Sequence, residues 1–517
     1  MDTKALRQKV LDLAIRGKLV PQDPNDEPAS VLLERIRQQK KQMVRDGKLK
    51  PKDIKNDTII FVGEDNLHYE KFADGSVKCI EDEIPFDLPE GWAWSRLGTV
   101  AEAIGDGDHQ PPPQTSSGVP FLVISNVSGG QFSFENTRFV SEEYFSQLPE
   151  TRKPRNGDLL FTVTGSYGIP VLVDTDDKFC FQRHIAIVRP CIISNRYFYV
   201  VLGSSYVKSI CDAKATGTAQ KTVGLATLRE LLIPVAPYKE QMQIYAQTQD
   251  ALSIVDSISS DKEDLLNIIE NTKAKILNLA IRGQLVPQDL NDEPASVLLE
   301  RTRSEKEELI RQGKIKRDKK ESVIFRGEDN SYYFDIPDGW ALCPLKELFN
   351  VCSAKRVRQS DWRTEGVPFY RAREIVKLSD NGFVDNDLFI SEEHYIRVKA
   401  ECGVPEPGDL MVSGVGTIGK VYVVNSDDRF YYKDASVLCF ENRTGVIDSQ
   451  FARYMLESEF MQAQMKDNSK GTTVDTITIS AAMEYVCVLP PLAEQKRIVS
   501  AIETAFVHLK SISDALT

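Results

Sequence analysis

The sequence predicts a mixed α/β protein: two α/β domains joined by long antiparallel, coiled-coil-like helices in a pseudo-twofold cyclic repeat. Three observations predict it. Residues 14 to 35, AIRGKLVPQDPNDEPASVLLER, recur at 280 to 301 as AIRGQLVPQDLNDEPASVLLER, identical at 20 of 22 positions. Fainter copies follow in the same order: IIFVGEDNLHY and VIFRGEDNSYY, LPEGWAW and IPDGWAL, GDLLFTVTGSYG and GDLMVSGVGTIG, PYKEQMQI and PLAEQKRI. Apolar residues fall at heptad spacing after the first variable stretch and again at the C-terminus. A unit of roughly 250 residues is too long for a solenoid repeat, so the chain reads as a duplicated domain pair.

Composition bounds the function. The 517 residues carry a formal net charge of −12, with 41% hydrophobic and 27% charged residues. That length implies several structural units and excludes a disordered or fibrous chain. An acidic total argues against a generally basic nucleic-acid-binding surface, although local patches decide phosphate binding. The closest of nine cysteines, Cys343 and Cys352, have neither zinc spacing nor a disulfide framework. No apolar stretch suits a signal peptide or a membrane span, so a soluble, cytoplasmic protein with no membrane partner is expected.

In chain order, residues 1–55 form an N-terminal helical region, 56–89 a linker, 90–237 the first α/β domain and 238–320 a central helical region. Residues 321–337 form a second linker, 338–491 the second α/β domain and 492–517 a C-terminal helix. Between Ile244 and Leu279 one seam holds Ile244, Ala251, Ile258, Leu265 and Leu279, and the other Val255, Ile269 and Ile276, with Thr248, Lys262 and Thr272 interrupting the pattern. The C-terminal stripe is Ile498, Ile502, Ala505, Leu509, Ile512 and Leu516. A stripe of this kind packs on a partner helix or on a globular core; its duplication favours a helix pair. Glu240 aligns with Glu494, which places Thr517 just short of the position matching Met1. Residues 494–517 and 1–16 are therefore expected to mimic, as two halves, the continuous helix 240–282. NDEPAS opens a second helix in each copy, with Asn, Asp or Ser available as cap and Pro suited to a first turn. The continuations are basic: nine Lys or Arg against three acids in 34–55, and nine against four in 301–320. A solvated face, phosphate contact and protein docking all fit such a run. The variable domains carry strand-like runs at 121–125, 158–164, 184–190, 409–413 and 420–424, punctuated by Gly, Pro, Asn and Asp.

Catalytic motifs are missing from this pattern. GVGTIG at 414–419 matches the dinucleotide fingerprint, but β-like KVYVV follows where a helix is required, which predicts a hairpin turn. TGSYG at 164–168 is not a nucleophile elbow, because its serine directly follows a glycine. No phosphate loop, metal-ligand histidine spacing or adenine-methyltransfer tetrapeptide occurs. The residues read as a binding and scaffolding chain.

LAIRGKLVPQDPNDEPASVLLER and its copy, GDGDHQPPP leading into GVPFLVISNV, NGDLLFTVTGSYG, PGDLMVSGVGTIGK and LPPLAEQKRIV together resemble the specificity subunits of type I restriction-modification systems, over essentially the whole chain. The resemblance implies two target recognition domains, each reading half of a bipartite, asymmetric sequence in double-stranded DNA. It implies helices that set the spacing and dock two modification (methyltransferase) subunits, and restriction subunits acting as ATP-dependent translocase and nuclease. Cofactors are expected only in those partners: S-adenosylmethionine, ATP and Mg. A non-catalytic coiled-coil adaptor without sequence-specific DNA binding is the alternative.

Candidate DNA-contacting residues follow from side-chain chemistry. The first domain offers His109, Gln110, Gln114, Ser125 and Asn126, with Arg152, Lys153, Arg155 and Lys221 for phosphates and Gln182 and Arg183, next to His184, before a strand. The second offers Lys355, Arg356, Arg358, Arg363, Arg371, Arg373 and Lys377. Arg pairs with guanine and Gln or Asn with adenine in the major groove, so a G-richer half-site is expected for the second domain and an A-richer one for the first. Ile244, Ile258, Leu265, Ile269, Ile276, Ile498, Ile502 and Leu509 are the expected spacer or subunit-docking positions.

Overall fold

The computed structural model describes residues 2–108, 112–131, 133–218, 220–312, 336–469 and 475–516. The chain divides into two compact units, Met1–Asp261 and Lys262–Thr517. The boundary falls inside one helix of 44 residues, Tyr238–Ile281, about 66 Å long at 1.5 Å per residue.

In the first unit, helix Thr3–Ile15 runs antiparallel to the first half of that long helix. Thr3 Oγ1 donates to Ser259 Oγ at 3.4 Å, and Arg7 pairs with Asp256. Helix Ala29–Arg45 follows. Strands Ala93–Arg96 and Leu232–Val235 pair antiparallel where the chain enters and leaves the α/β domain. A four-stranded antiparallel sheet has the order Ala101–Asp106, Ile185–Pro190, Leu159–Thr162, Pro170–Leu172. A smaller sheet sets Val119–Leu122 between Cys180–Phe181, parallel to it, and Arg138–Val140, antiparallel.

The second unit repeats this strand order with one strand added to the smaller sheet, although the sequences have diverged. The larger sheet runs Asn350–Ser353, Val437–Glu441, Leu410–Ser413, Val421–Val423. The smaller sets Val367–Tyr370 between Tyr431–Tyr432 and Phe389–Ile390, and adds Trp362–Arg363 at its edge. Helix Leu492–Leu516 occupies the place of residues 238–261, and the second half of the long helix that of Thr3–Ile15. Each unit thus holds one helix pair and one α/β domain. The segments GVGTIG and TGSYG are turns between antiparallel strands, with Gly416 and Gly419 at φ +77° and +78°.

Three expectations change. Residues 56–89 are not a bare linker: Ile59–Val62, His68–Lys71 and Val77–Cys79 form an antiparallel sheet, held through the salt bridge from Arg96 to Glu70 at 2.7 Å. The matching stretch of the second copy, from the end of the basic run at 313 through 335, lies outside the described residues. The helices after NDEP carry Pro28 and Pro294 at the N-cap, with no side-chain cap. Their first N–H groups, of Ala29 and Ala295, donate instead to the carbonyls of Gly91 and Gly339, each at 2.8 Å. The GW turn therefore plays the part expected of Asn, Asp or Ser. Finally, Leu265 is 36% exposed, whereas Leu252 and Leu277 are buried. An ideal helix drifts about 20° per heptad from a strict seven-residue repeat, which carries Leu265 off the seam. Ile244, Ile269, Ile498 and Ile502 are buried, and Ile258, Ile276 and Leu509 are partly so. No described helix is long and apolar enough to cross a membrane.

The motifs repeated most faithfully meet where helices and α/β domain join. Glu240, in the first turn of its helix and 2% exposed, accepts from the Trp92 indole N–H at 2.9 Å and from Gln22 Nε2 at 3.2 Å. The same Gln22 amide donates to the Gly17 carbonyl at 2.6 Å, just past helix Thr3–Ile15. In the second unit Glu494 accepts from Trp340 at 3.0 Å and from Gln288 at 3.1 Å, and Gln288 donates to Gly283 at 2.7 Å. The adjacent Gln241 and Gln495 are fully buried and accept from the N–H groups of Ser194 at 3.0 Å and Asp448 at 2.7 Å. LVPQ, GW and EQ recur because they are three sides of one hydrogen-bonded junction.

Candidate nucleic-acid interface

Polar side chains of the first α/β domain cluster on the segments that enter and leave the smaller sheet. The Asp108 N–H donates to the Phe181 carbonyl and the Arg183 N–H to the Asp108 carbonyl, both at 3.1 Å, tying residues 105–108 to 181–184. The Asp108 carboxylate accepts from Arg152 Nη1 at 2.7 Å and from the Tyr144 hydroxyl. Burial, and then that hydrogen bond, push the Tyr144 phenol pKa up. Glu150 pairs with two cations of its own loop, Arg155 at 2.8 Å and Lys153 at 3.2 Å, whose hydrogen bonds hold its carboxyl below the usual range. Lys153 also donates to the Ser146 carbonyl at 3.1 Å and lies over the Phe145 ring.

Arg152 and Lys153 are therefore committed within the domain, which corrects their reading as free phosphate ligands; Arg155 keeps about half its side-chain surface exposed. Asn126 is 8% exposed, accepts from the Val123 N–H and donates to the carbonyls of Ser133 and Glu135. It braces a loop and cannot read a base edge. Gln114, Ser125, Arg183 and Lys221 are exposed, and Gln182 is half-buried. Burial, then the neighbouring Arg183, lower the His184 pKa. His109 and Gln110 lie outside the described residues.

In the second domain, Arg371 stands at the N-cap of helix Ala372–Asn381, where a 3-10 turn occupies the matching place of the first domain. Arg371 pairs with Glu374 at 3.0 Å and Asp387 at 2.7 Å; Arg373 pairs with the same two carboxylates. Burial opposes ionisation of Glu374, but the two guanidiniums prevail and hold its pKa below the usual value. Lys355 pairs with Glu401, and Arg363 donates to the carbonyls of Ser360 and Trp362. Arg371, Arg373 and Lys355 thus carry counter-charges that sequence reasoning missed, since Asp387 and Glu401 lie far along the chain. Arg356, Arg358 and Lys377 are exposed, and their side chains pair with no carboxylate among the described residues; the Arg358 backbone N–H donates to the Asp361 carboxylate at 3.3 Å.

Two further pairs brace both domains alike. Asp158 accepts from Arg189 at 2.8 Å and Asp409 from Arg443 at 2.7 Å. Each also accepts the N–H three residues earlier, from Arg155 and from Glu406, both at 2.8 Å. The repeated GDL is the signal that could have found them. Among the described residues, no group of three or more His, Cys, Asp or Glu is placed to hold a metal ion. The exposed groups offer hydrogen-bond donors and positive charge, the chemistry of phosphate and base-edge recognition.

Known proteins match along the same lines. The family described as "Type I restriction modification DNA specificity domain" matches residues 89–270 and 337–511. The type I restriction enzyme EcoAI specificity subunit of Escherichia coli is 26% identical over 97% of this chain and 88% of its own length. The EcoEI specificity subunit of Escherichia coli is 25% identical over 97% and 89%. A chain solved in work on complex assembly and conformational transition of the type I R-M system shares the fold, with a TM-score of 0.52 and 18% identity, covering 84% of this chain and 94% of that one.

Proposed function

Since this chain belongs to the type I restriction modification DNA specificity family, we propose that it is the DNA-recognition subunit of such a system, each α/β domain reading one half of a bipartite, asymmetric site in double-stranded DNA. The observation that carries this reading is the pairing of one topology with two surfaces. The sheet orders agree, whereas the residues after the matching VPF strands differ: ISN opens a 3-10 turn in one domain and ARE a helix in the other. A duplicated scaffold with unlike tips suits two unlike half-sites, and half-sites about one helical turn apart lie on one face of the duplex.

The chain works without catalysis of its own in the cytoplasm. Two modification subunits using S-adenosylmethionine, and restriction subunits using ATP and Mg, supply the chemistry. Arg356, Arg358 and Lys377 are the contacts of the second domain, and Gln114, Ser125, Gln182, Arg183 and Lys221 those of the first. With Asn126 withdrawn into its loop, the A-richer first half-site rests on Gln114 and Gln182, and the G-richer second on Arg356 and Arg358. Selection of duplexes from a random library by the complex with its modification subunits tests this. The expected result is a motif of two specified halves around an unspecified gap. A continuous motif, or no sequence preference, overturns it in favour of the adaptor reading.

A further inference from the structure

The junction described above binds three elements through one carboxylate. In each unit Glu240 or Glu494 stands in the first turn of one helix, Gln22 or Gln288 follows the end of the paired helix, and Trp92 or Trp340 leads into the α/β domain. The distances agree between units to within 0.1 Å. Both carboxylates are almost wholly buried, and their hydrogen-bond donors are neutral. A buried carboxylate held only by neutral donors is costly to keep. Its retention in both copies, while the surrounding domains diverged, points to a geometric role.

The apolar clusters around Leu122, Phe179 and Ile187 and around Phe121, Val140 and Leu148 contain no residue of the junction. The far part of the recognition domain therefore holds itself together independently. Trp92 and Trp340 belong instead to the larger apolar clusters that the helices share with the four-stranded sheets, so the junction, together with that shared core, sets the angle between the domain and its helix pair. We propose that Glu240 and Glu494 are positioning residues that set the angle at which each recognition domain is carried, and so the gap length between half-sites that the protein accepts. This rests on the reading of the chain as a bipartite DNA reader.

The experiment uses the full chain with its modification subunits and a set of duplexes carrying both selected half-sites at gaps varied one base pair at a time. Glu240→Gln places an amide donor against the Trp92 or Gln22 donor, so one of the two bonds is lost. Trp92→Phe removes the indole N–H from the other side. Both variants should lower the preference for the best gap over its neighbours by at least about threefold, leaving the base preferences within each half-site as in the wild type. Glu494→Gln and Trp340→Phe should do the same. Folded variants with an unchanged gap profile, or with altered half-site preferences, overturn the proposal. Loss of folding in all four also overturns it, because the junction would then serve folding alone. A wild-type complex with no gap preference at all would instead count against the bipartite reading itself.

Discussion

Arg371 and Arg373 share Glu374 and Asp387, so most of their charge is offset before DNA arrives, whereas the exposed Arg358 guanidinium pairs with no carboxylate among the described residues. Arg358→Ala should therefore weaken DNA binding and, as the loss of one phosphate contact, reduce the slope of log affinity against log salt by about 1. Arg373→Ala should change that slope less and lower thermal stability. Fluorescence anisotropy across a salt series, beside a melting curve, checks the pair; equal slopes for the two variants would contradict the assignment. Buried Lys40 makes a different kind of pair. It donates to Asp57 at 2.9 Å and to the carbonyls of Gly98 and Thr99 at 3.0 and 3.1 Å. Burial raises the Asp57 pKa to about 6, with Lys40 pulling the other way. A raised carboxyl pKa favours the protonated folded form. Its contribution to stability is complete below the unfolded value of 3.8 and is lost as the pH rises through about 6. Carboxyl NMR should show Asp57 titrating near 6, and a midpoint at the ordinary aspartate value would contradict this.

Among the elements, the helix ends set the geometry. Gly17 and Gly283 adopt φ +62° and +67°, and Lys18 and Gln284 close the turn by donating to Leu13 and Leu279 at 2.9 Å each, a Schellman-type ending. A Cβ at either glycine would run into the ring of Pro89 or Pro337. Gly17→Ala and Gly283→Ala should each cost about 1–3 kcal/mol of their unit's stability, measured by urea unfolding; an unchanged midpoint would contradict the packing. Much of this was legible in the sequence, because duplication marks what both copies need: AIRG, VPQ, GW and EQ are visible as repeats. Their partnership was not, since Trp92 and Glu240 lie 148 residues apart and neither carries a catalytic or capping signature. The long helices and the hairpins announced themselves by period and by Gly and Pro. Leu265 did not, because heptad counting ignores the drift of a real helix. The recognition tips were least legible. Composition showed the cations of 152–155 and 355–377, but of their counter-charges only Glu150 and Glu374 are near in sequence, while Asp108, Asp387 and Glu401 come from other segments.

For the molecule as a whole, the two units share one plan: a helix pair and an α/β domain, with the long helix supplying one half-helix to each. In the first unit the N-terminal helix pairs with residues before Asp261; in the second, the C-terminal helix belongs with residues after Lys262. If each α/β domain reads its own half of a divided site, the halves must be separable by exchange. The decisive experiment replaces residues 338–491 with the corresponding domain of a relative and maps methylated adenines in cells that supply the modification subunits. One half of the motif should change while the other half and the gap stay fixed; a change in both halves, or in neither, would contradict the division of the site between the domains.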